Sequence, residues 1–349
     1  MEKKRIIFLY TEIAEYFLAC CKALLNEDVE IHIVRFPVNK EAPFKFVFSE
    51  GITVYERNNY NDSQLLELVI KIRPSEIICS GWIDKGYLKI CKHFKGLIPT
   101  ILTLDNHWRG DLKQQIAKII SPFYLHKRFS NCWVPGSLQK EYAIKLGFKE
   151  VQILSGFYSC DFEYFHKQYL ENKDKKVKLF PKRFIYVGRY YEFKGIRNLW
   201  KAFDELQNES PNEWELWCLG TGEIEPIVHP KIKHFGFVQP TELSSYLENT
   251  GVFVLPSFFE PWGVVVHEFA SAGFPIICSD KVGARTAFVE NNYNGYIYNS
   301  DSVAELKVAM KKIVMTDSFG LNSMAERSVD KSKGITPDIW AQQLMKLIK

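Results

Sequence analysis

Two cations and two acids stand out by their surroundings. Arg183-Phe-Ile-Tyr-Val-Gly188-Arg189-Tyr-Tyr-Glu-Phe-Lys194-Gly195 runs from an apolar stretch through a glycine into a turn that carries Arg189 and Lys194. An amphipathic helical pattern (Ile196, Leu199, Trp200, Phe203, Leu206) follows at once. Cations between a strand end and a helix start suit a diphosphate. Arginine forks two oxygens, lysine supplies a compact charge, and the free N–H groups of the first helical turn add to both. Leu255-Pro-Ser-Phe-Phe-Glu260-Pro-Trp262-Gly263-Val264-Val-Val-His-Glu268-Phe-Ala-Ser-Ala-Gly273-Phe-Pro275 repeats the arrangement with acids. Val252–Leu255 reads as a buried strand. A helix is expected to start near Pro261 to Gly263, with proline in its first turn, and to stop at Gly273. Glu260 stands just before that helix and Glu268 about two turns inside. The first can accept hydrogen bonds from sugar hydroxyls, the second from a ribose diol. Each motif also has a plain structural reading: Arg189 and Lys194 as solvated loop charges, Glu260 as a cap acid, Glu268 as a surface acid.

Other residues with chemical capacity lie earlier. Pro99-Thr-Ile-Leu-Thr-Leu-Asp105-Asn-His107-Trp-Arg109-Gly110 places an acid, an imidazole and a cation after a strand. Thr11 follows the first strand and reads as a helix N-cap or as a hydrogen-bond donor to a ligand. The phosphate-loop pattern G-x-x-x-x-G-K-[ST] and the dinucleotide pattern G-x-G-x-x-G after a strand are both missing, which argues against those two nucleotide folds. No D-x-D triplet occurs to hold a divalent metal. The stretch from Lys113 to Lys149 mixes Lys118, His126, Lys127, Arg128, Lys140 and Lys145 with Phe123, Tyr124, Leu125 and Trp133. It reads as a surface for anionic lipid or as a solvated basic face.

These residues need a frame. Short apolar runs alternate with helical patterns along the whole chain, which implies parallel sheets covered on both faces and ligands along one sheet edge. Strands are expected at 5–10, 30–36, 52–55, 76–80, 100–104, 131–134 and 151–154, then at 183–187, 214–219, 231–235, 252–255, 274–278 and 295–298. Helices are expected at 12–25, 63–72, 137–146, 196–206, 239–247, 263–272, 303–313 and 318–328. His166 to Lys178 is polar without an apolar period and reads as a linker or solvated excursion between two domains, which the 349-residue length also calls for. Thr336-Pro-Asp opens a last helix with Ile339, Met345 and Ile348 toward one apolar face. It can pack on its own domain or reach back to the first.

Composition narrows the class. Hydrophobic residues make up 46% and charged residues 25%, which is globular. The net charge of +4 asks for no nucleic-acid partner, and none is expected. Eight cysteines are scattered without a C-x-x-C pair, as expected of reduced core thiols in a cytoplasmic protein. The apolar run after Met1-Glu-Lys-Lys-Arg5 stops at Tyr10, short of a secretory core, and no stretch is long enough to span a membrane. A cytoplasmic location is expected, with any membrane contact peripheral and on the inner face.

Taken together, the second half resembles the retaining family 4 (group 1) glycosyltransferases of GT-B fold. The resemblance rests on Phe184-Ile-Tyr-Val-Gly188-Arg189 with Lys194-Gly195, Leu219-Gly220-Thr-Gly222, Phe235-Gly236-Phe237-Val238, and Glu260 with Glu268. It implies an α/β protein with two Rossmann-like domains facing a cleft and a C-terminal helix, containing Trp340, that crosses back to the first domain. The implied division is an acceptor-binding domain over 1–165 plus 336–349 and a nucleotide-sugar-binding domain over 166–335. The implied activity is metal-independent transfer of a hexosyl unit from a nucleoside diphosphate sugar, UDP or GDP, to a saccharide or lipid-linked acceptor, in cell-envelope polysaccharide or glycolipid synthesis. No cofactor and no metal are implied. Arg189 and Lys194 would hold the diphosphate and Glu268 the ribose. Glu260, with the backbone of Trp262, Gly263 and Val264, would hold the donor sugar, and Gly188 would also bind substrate. Gly220, Phe237 and Val238 would line the base, with ordinary core as the other reading of the last two. The first half matches less well. The family's glycine-rich first loop is replaced by Leu9-Tyr-Thr-Glu-Ile-Ala, and Asp105 stands where a histidine is expected, with His107 two residues on. Asp105, His107 and Thr11 would serve the donor sugar or acceptor. A nucleotide-sugar epimerase of the same fold and a non-catalytic sugar-nucleotide-binding module are the competing readings.

Overall fold

The computed structural model describes residues 3–38 and 46–347. The chain divides into two units, Met1–Ser159 with Ile335–Lys349, and Cys160–Gly334.

In the first unit the strands are β1 (Lys4–Leu9), β2 (Val29–Arg35), β3 (Ile52–Glu56), β4 (Glu76–Ser80), β5 (Thr100–Thr103), β6 (Asn131–Val134) and β7 (Ile153–Ser155). The helices are α1 (Glu15–Leu25), α2 (Asp62–Ile72), α3 (Lys85–Phe94), α4 (Leu112–Tyr124) and α5 (Ser137–Lys145). All strand pairs are parallel, in the order β3-β2-β1-β4-β5-β6-β7. β1, β4 and β5 are buried on both faces, which is why their sequences are continuous apolar runs instead of alternating ones. α1 starts at Glu15 with Ala14 as its N-cap, three residues later than expected. Thr11 is therefore not a helix cap: its carbonyl accepts from the Phe36 N–H, which keeps the chain extended beyond β1.

The second unit opens with α6 (Phe162–Lys178). It continues through β8 (Arg183–Val187), α7 (Ile196–Glu209), β9 (Glu215–Leu219), β10 (Ile232–His234), α8 (Ser244–Asn249), β11 (Val252–Leu255), α9 (Val264–Ser271), β12 (Ile276–Ser279), α10 (Arg285–Phe288), β13 (Gly295–Tyr298), α11 (Val303–Met315) and α12 (Ser318–Ser332). Its strands are again parallel, ordered β10-β9-β8-β11-β12-β13. The linker expected at 166–182 is largely helix. Asp161 caps α6 by accepting from the Tyr164 N–H, and Phe165, Gln168, Asn172 and Lys176 form its buried stripe. Three of those four are polar, so the stripe leaves no apolar period to read.

The last helix, α13 (Pro337–Met345), belongs to the first unit and packs on α1. Trp340 is buried among Phe8, Phe17 and Trp133, and its indole N–H donates to the Phe157 carbonyl at 2.7 Å. Ile348, expected on its apolar face, lies outside the described residues. All eight cysteines are buried, and none forms a disulfide. Among the described residues no helix is long and apolar enough to cross a membrane.

Candidate active site

In both sheets the strand order reverses beside the first strand, between β1 and β4 and between β8 and β11. In parallel α/β sheets the crevice beyond such a reversal is where ligands bind. The turns after β8 and β11 are therefore adjacent although 66 residues separate the side chains they carry. The Lys194 ammonium and the Glu260 carboxylate form an ion pair there, with side-chain exposures of only 15% and 14%. The Ser257 hydroxyl donates to the same carboxylate oxygen at 3.4 Å, and Ser279 donates to the Ser257 carbonyl at 2.5 Å, which fixes the turn. The backbone of Glu260 is itself clamped: its N–H donates to Lys281 at 3.2 Å and its carbonyl accepts from Gly283 at 3.0 Å. Glu260 is thus neither a cap acid nor a solvated one.

Two glycines let these turns approach. Gly195 has φ +69°, and a Cβ there would lie 2.1 Å from the Pro256 carbonyl oxygen. Gly220, at the end of β9, has φ +143°, and a Cβ would lie 1.9 Å from the Gly188 oxygen. No side chain fits either contact. The Gly220 N–H donates to Gly236 at 2.7 Å, so the ends of β8, β9 and β10 close on one another through backbone alone. Arg189 lies exposed in the β8 turn with its guanidinium 5.2 Å from the Tyr191 ring centre, and its carbonyl accepts from the Tyr186 hydroxyl at 2.8 Å.

α9 begins at Val264, with Gly263 as its N-cap. Pro261 thus precedes the helix instead of lying in its first turn. Trp262 is buried against Phe288, and its carbonyl accepts from Ala284 at 2.8 Å. Glu268 is half-buried on α9. Burial, and then the charge of Asp161 nearby, push its carboxyl up to about 7. It is no ordinary surface acid. Its neighbour His267 is structural: Nδ1 accepts from the Cys160 N–H, Nε2 meets the Ser332 carbonyl, and the ring stacks on Phe288 at 4.3 Å. Phe237 is exposed and Val238 half-buried, so neither is the ordinary core that was their other reading.

The first unit assembles a different site. A cavity of about 630 Å³ opens at the sheet reversal, lined among others by Thr11, Tyr16, Ser80, Trp82, Asp105 and Tyr158. The Thr11 N–H donates to the Ser80 hydroxyl at 3.0 Å, joining the ends of β1 and β4. Asp105 accepts from the Tyr158 hydroxyl at 3.3 Å and from the Asn106 amide at 3.3 Å. His107 does not line the cavity. Its carbonyl accepts from the Gln114 side chain at 2.8 Å, which anchors α4. Arg109 lines the cavity and pairs with Asp111 at 2.9 Å. Sequence reading missed Ser80, Tyr16 and Tyr158. The only trace of the first was its place at a strand end, and the tyrosines arrive from α1 and the turn after β7.

Two parallel α/β sheets and a C-terminal helix returned to the first define the GT-B fold class. The crystal structure of Anabaena HepE in complex with UDP and glucose superposes with TM-score 0.71 at 12% identity, covering 98% of each chain. Residues 181–316, which carry Arg189, Lys194, Glu260 and Glu268, match the glycosyl transferases group 1 family. The chain is 26% identical over 185 residues to an uncharacterised glycosyltransferase of Haemophilus influenzae, covering 47% of this chain and 51% of that one. It is 28% identical over 159 residues to a lipopolysaccharide 1,6-galactosyltransferase of Escherichia coli, covering 42% and 44%. The chain thus spans about half the length of these curated relatives.

Proposed function

We propose that this protein is a retaining, metal-independent glycosyltransferase that moves a hexosyl unit from a nucleoside diphosphate sugar, UDP- or GDP-linked, to a saccharide or lipid-linked acceptor of the cell envelope. The observation that carries the reading is the Lys194–Glu260 pair at the β8/β11 reversal, inside the segment that matches the group 1 family. Lysine has three donors, and the carboxylate occupies one, so two remain for phosphate oxygens. As the C1–O bond breaks, its electron pair leaves on the diphosphate. Lys194, Arg189 and the first N–H groups of α9 would stabilise that charge without a metal ion. Glu260, turned toward the sugar by Lys194 and Ser257, would accept from its hydroxyls, with the Trp262–Val264 backbone beside it. Glu268 would hold the ribose, and Gly220, Phe237 and Val238 the base. The acceptor would enter the 630 Å³ cavity, where Asp105 and Thr11 offer a carboxylate and a hydroxyl to it. The lipopolysaccharide 1,6-galactosyltransferase of Escherichia coli supports the envelope setting, and the UDP-bound HepE supports the donor class.

A thermal-shift panel of nucleotides and nucleotide sugars tests this, followed by transfer assays with the sugar that responds. UDP or GDP and one of their sugars should raise the unfolding temperature, and Lys194→Ala and Glu268→Ala should abolish the rise. A folded protein indifferent to every nucleoside diphosphate sugar would refute the reading. Conversion of the sugar nucleotide without acceptor would make it an epimerase instead, and binding without turnover a binding module.

A further inference from the structure

α4 is built inside out. Gln114 and Ser121, both polar, are its buried residues. Gln114 accepts from the N–H groups of Arg109 and Gly110 at 2.6 and 3.1 Å and donates to His107, and Ser121 donates to the Leu146 carbonyl at 2.8 Å. With about 100° between successive residues, the opposite side carries Leu112, Ile116, Ile119, Ile120 and Phe123 in a single ridge. Their exposures are 75%, 47%, 72%, 49% and 72%. A helix that turns its polar side to the protein and its apolar side to water has its second partner elsewhere.

The charges identify that partner. Residues 112–140 contain Lys113, Lys118, Lys127, Arg128 and Lys140 and no aspartate or glutamate. Lys113, Lys118 and Lys127 are exposed, with no carboxylate partner among the described residues. Two copies of the chain joined ridge to ridge would oppose lysine to lysine. Asp111, the acid beside the ridge at the start of α4, is paired with Arg109, so the unpaired charges beside the ridge are those of Lys113, Lys118 and Lys127, and such a ridge complements a surface that is anionic outside and apolar beneath. The expected basic and aromatic stretch is corrected in its detail: Leu125 and Trp133 are core residues, and the ridge of α4 takes their place.

We infer that the α4 ridge seats the protein on an anionic lipid bilayer. The inference builds on the transferase reading and sharpens its acceptor. Lys113, Gln114 and Ala117 of the same helix wall the 630 Å³ cavity, so a ridge sunk among headgroups holds the cavity beside the bilayer, where a lipid-linked saccharide is presented.

Co-sedimentation of the full chain with vesicles tests this. Mixed phosphatidylglycerol–phosphatidylcholine vesicles should pellet the protein at low salt and release it as salt rises, and phosphatidylcholine alone should bind it weakly. The double variant Ile119→Glu/Phe123→Glu changes only exposed side chains. It should keep its unfolding temperature and its response to nucleotides, and lose vesicle affinity by at least about tenfold. Wild-type protein left in the supernatant at low salt, or a double variant that pellets equally well, overturns the inference. So does a dimer that the double variant dissolves, without vesicle binding, which would make the ridge a self-contact. The two readings fail separately: vesicle binding without any nucleotide response overturns the transferase reading, and the reverse result overturns the membrane surface.

Discussion

At the carboxyl edge of the second sheet, β8 and β9 end in glycines whose backbones touch, and a lysine and a glutamate from turns 66 residues apart form one half-buried pair. At the carboxyl edge of the first sheet, β1 runs into Tyr10-Thr11 with no glycine, the strand ends are joined by Thr11 and Ser80, and a large cavity remains. The winding is the same and the edges differ in material. Backbone packed against backbone leaves fixed N–H groups and little room, which under the proposed function suits the diphosphate. A cavity walled by side chains has a shape that each substitution alters, which under the proposed function suits the acceptor.

The sharpest break of this contrast is Lys194→Ala. It strips the nearly enclosed Glu260 of its cation, so transfer should fall at least about a hundredfold and stability by about 3 kcal/mol. Steady-state kinetics and thermal unfolding of the same sample read both. An equally active, equally stable variant would reduce the pair to a surface ion pair. Next come the glycines. Gly195→Ala should cost about 3 kcal/mol, because its Cβ meets a carbonyl. Gly81→Ala, with φ +69° but open space around it, should cost only about 1 kcal/mol. Equal losses in urea titrations would erase the distinction between the two edges.

Smaller effects separate donor from acceptor. Asp105→Asn should lower kcat/KM for the acceptor about tenfold while nucleotide binding stays constant; titration calorimetry with the nucleotide shows whether it does. In its proposed ribose role Glu268 acts as the carboxylate, so nucleotide affinity should rise as pH climbs through about 7, and Glu268→Gln should flatten that profile. Stability runs the other way. The carboxyl titrates higher when folded than when unfolded, so its favourable contribution is complete below the ordinary carboxyl range and disappears as pH rises through about 7. Glu268→Gln should therefore gain stability over wild type at pH 8 and not at pH 4.

Parallel sheets covered on both faces, and nearly every strand, were legible in the sequence because a strand buried on both sides is a continuous apolar run. The two partners of the Lys194–Glu260 pair were legible as chemistry-bearing residues too. Glycine beside cations and acids after such runs is a local signal, and its meaning does not depend on what packs nearby. α6 was not legible, since Gln168, Asn172 and Lys176 are buried polar residues and a search for apolar periods passes over them. In α4 the apolar period of Leu112, Ile116, Ile119, Ile120 and Phe123 is present, but that this face is exposed while Gln114 and Ser121 are buried is decided only by packing. Tyr16, Ser80, Asp105 and Tyr158 share a cavity only because β1, β4, β5 and β7 lie in one sheet, and strand order is a long-range choice that no short stretch encodes. The chain alone therefore set which charged side chains stand at the strand ends. Only the folded sheet decided that Lys194 faces Glu260, that Asp105 meets Tyr158, and that an apolar helix face is left pointing at the solvent.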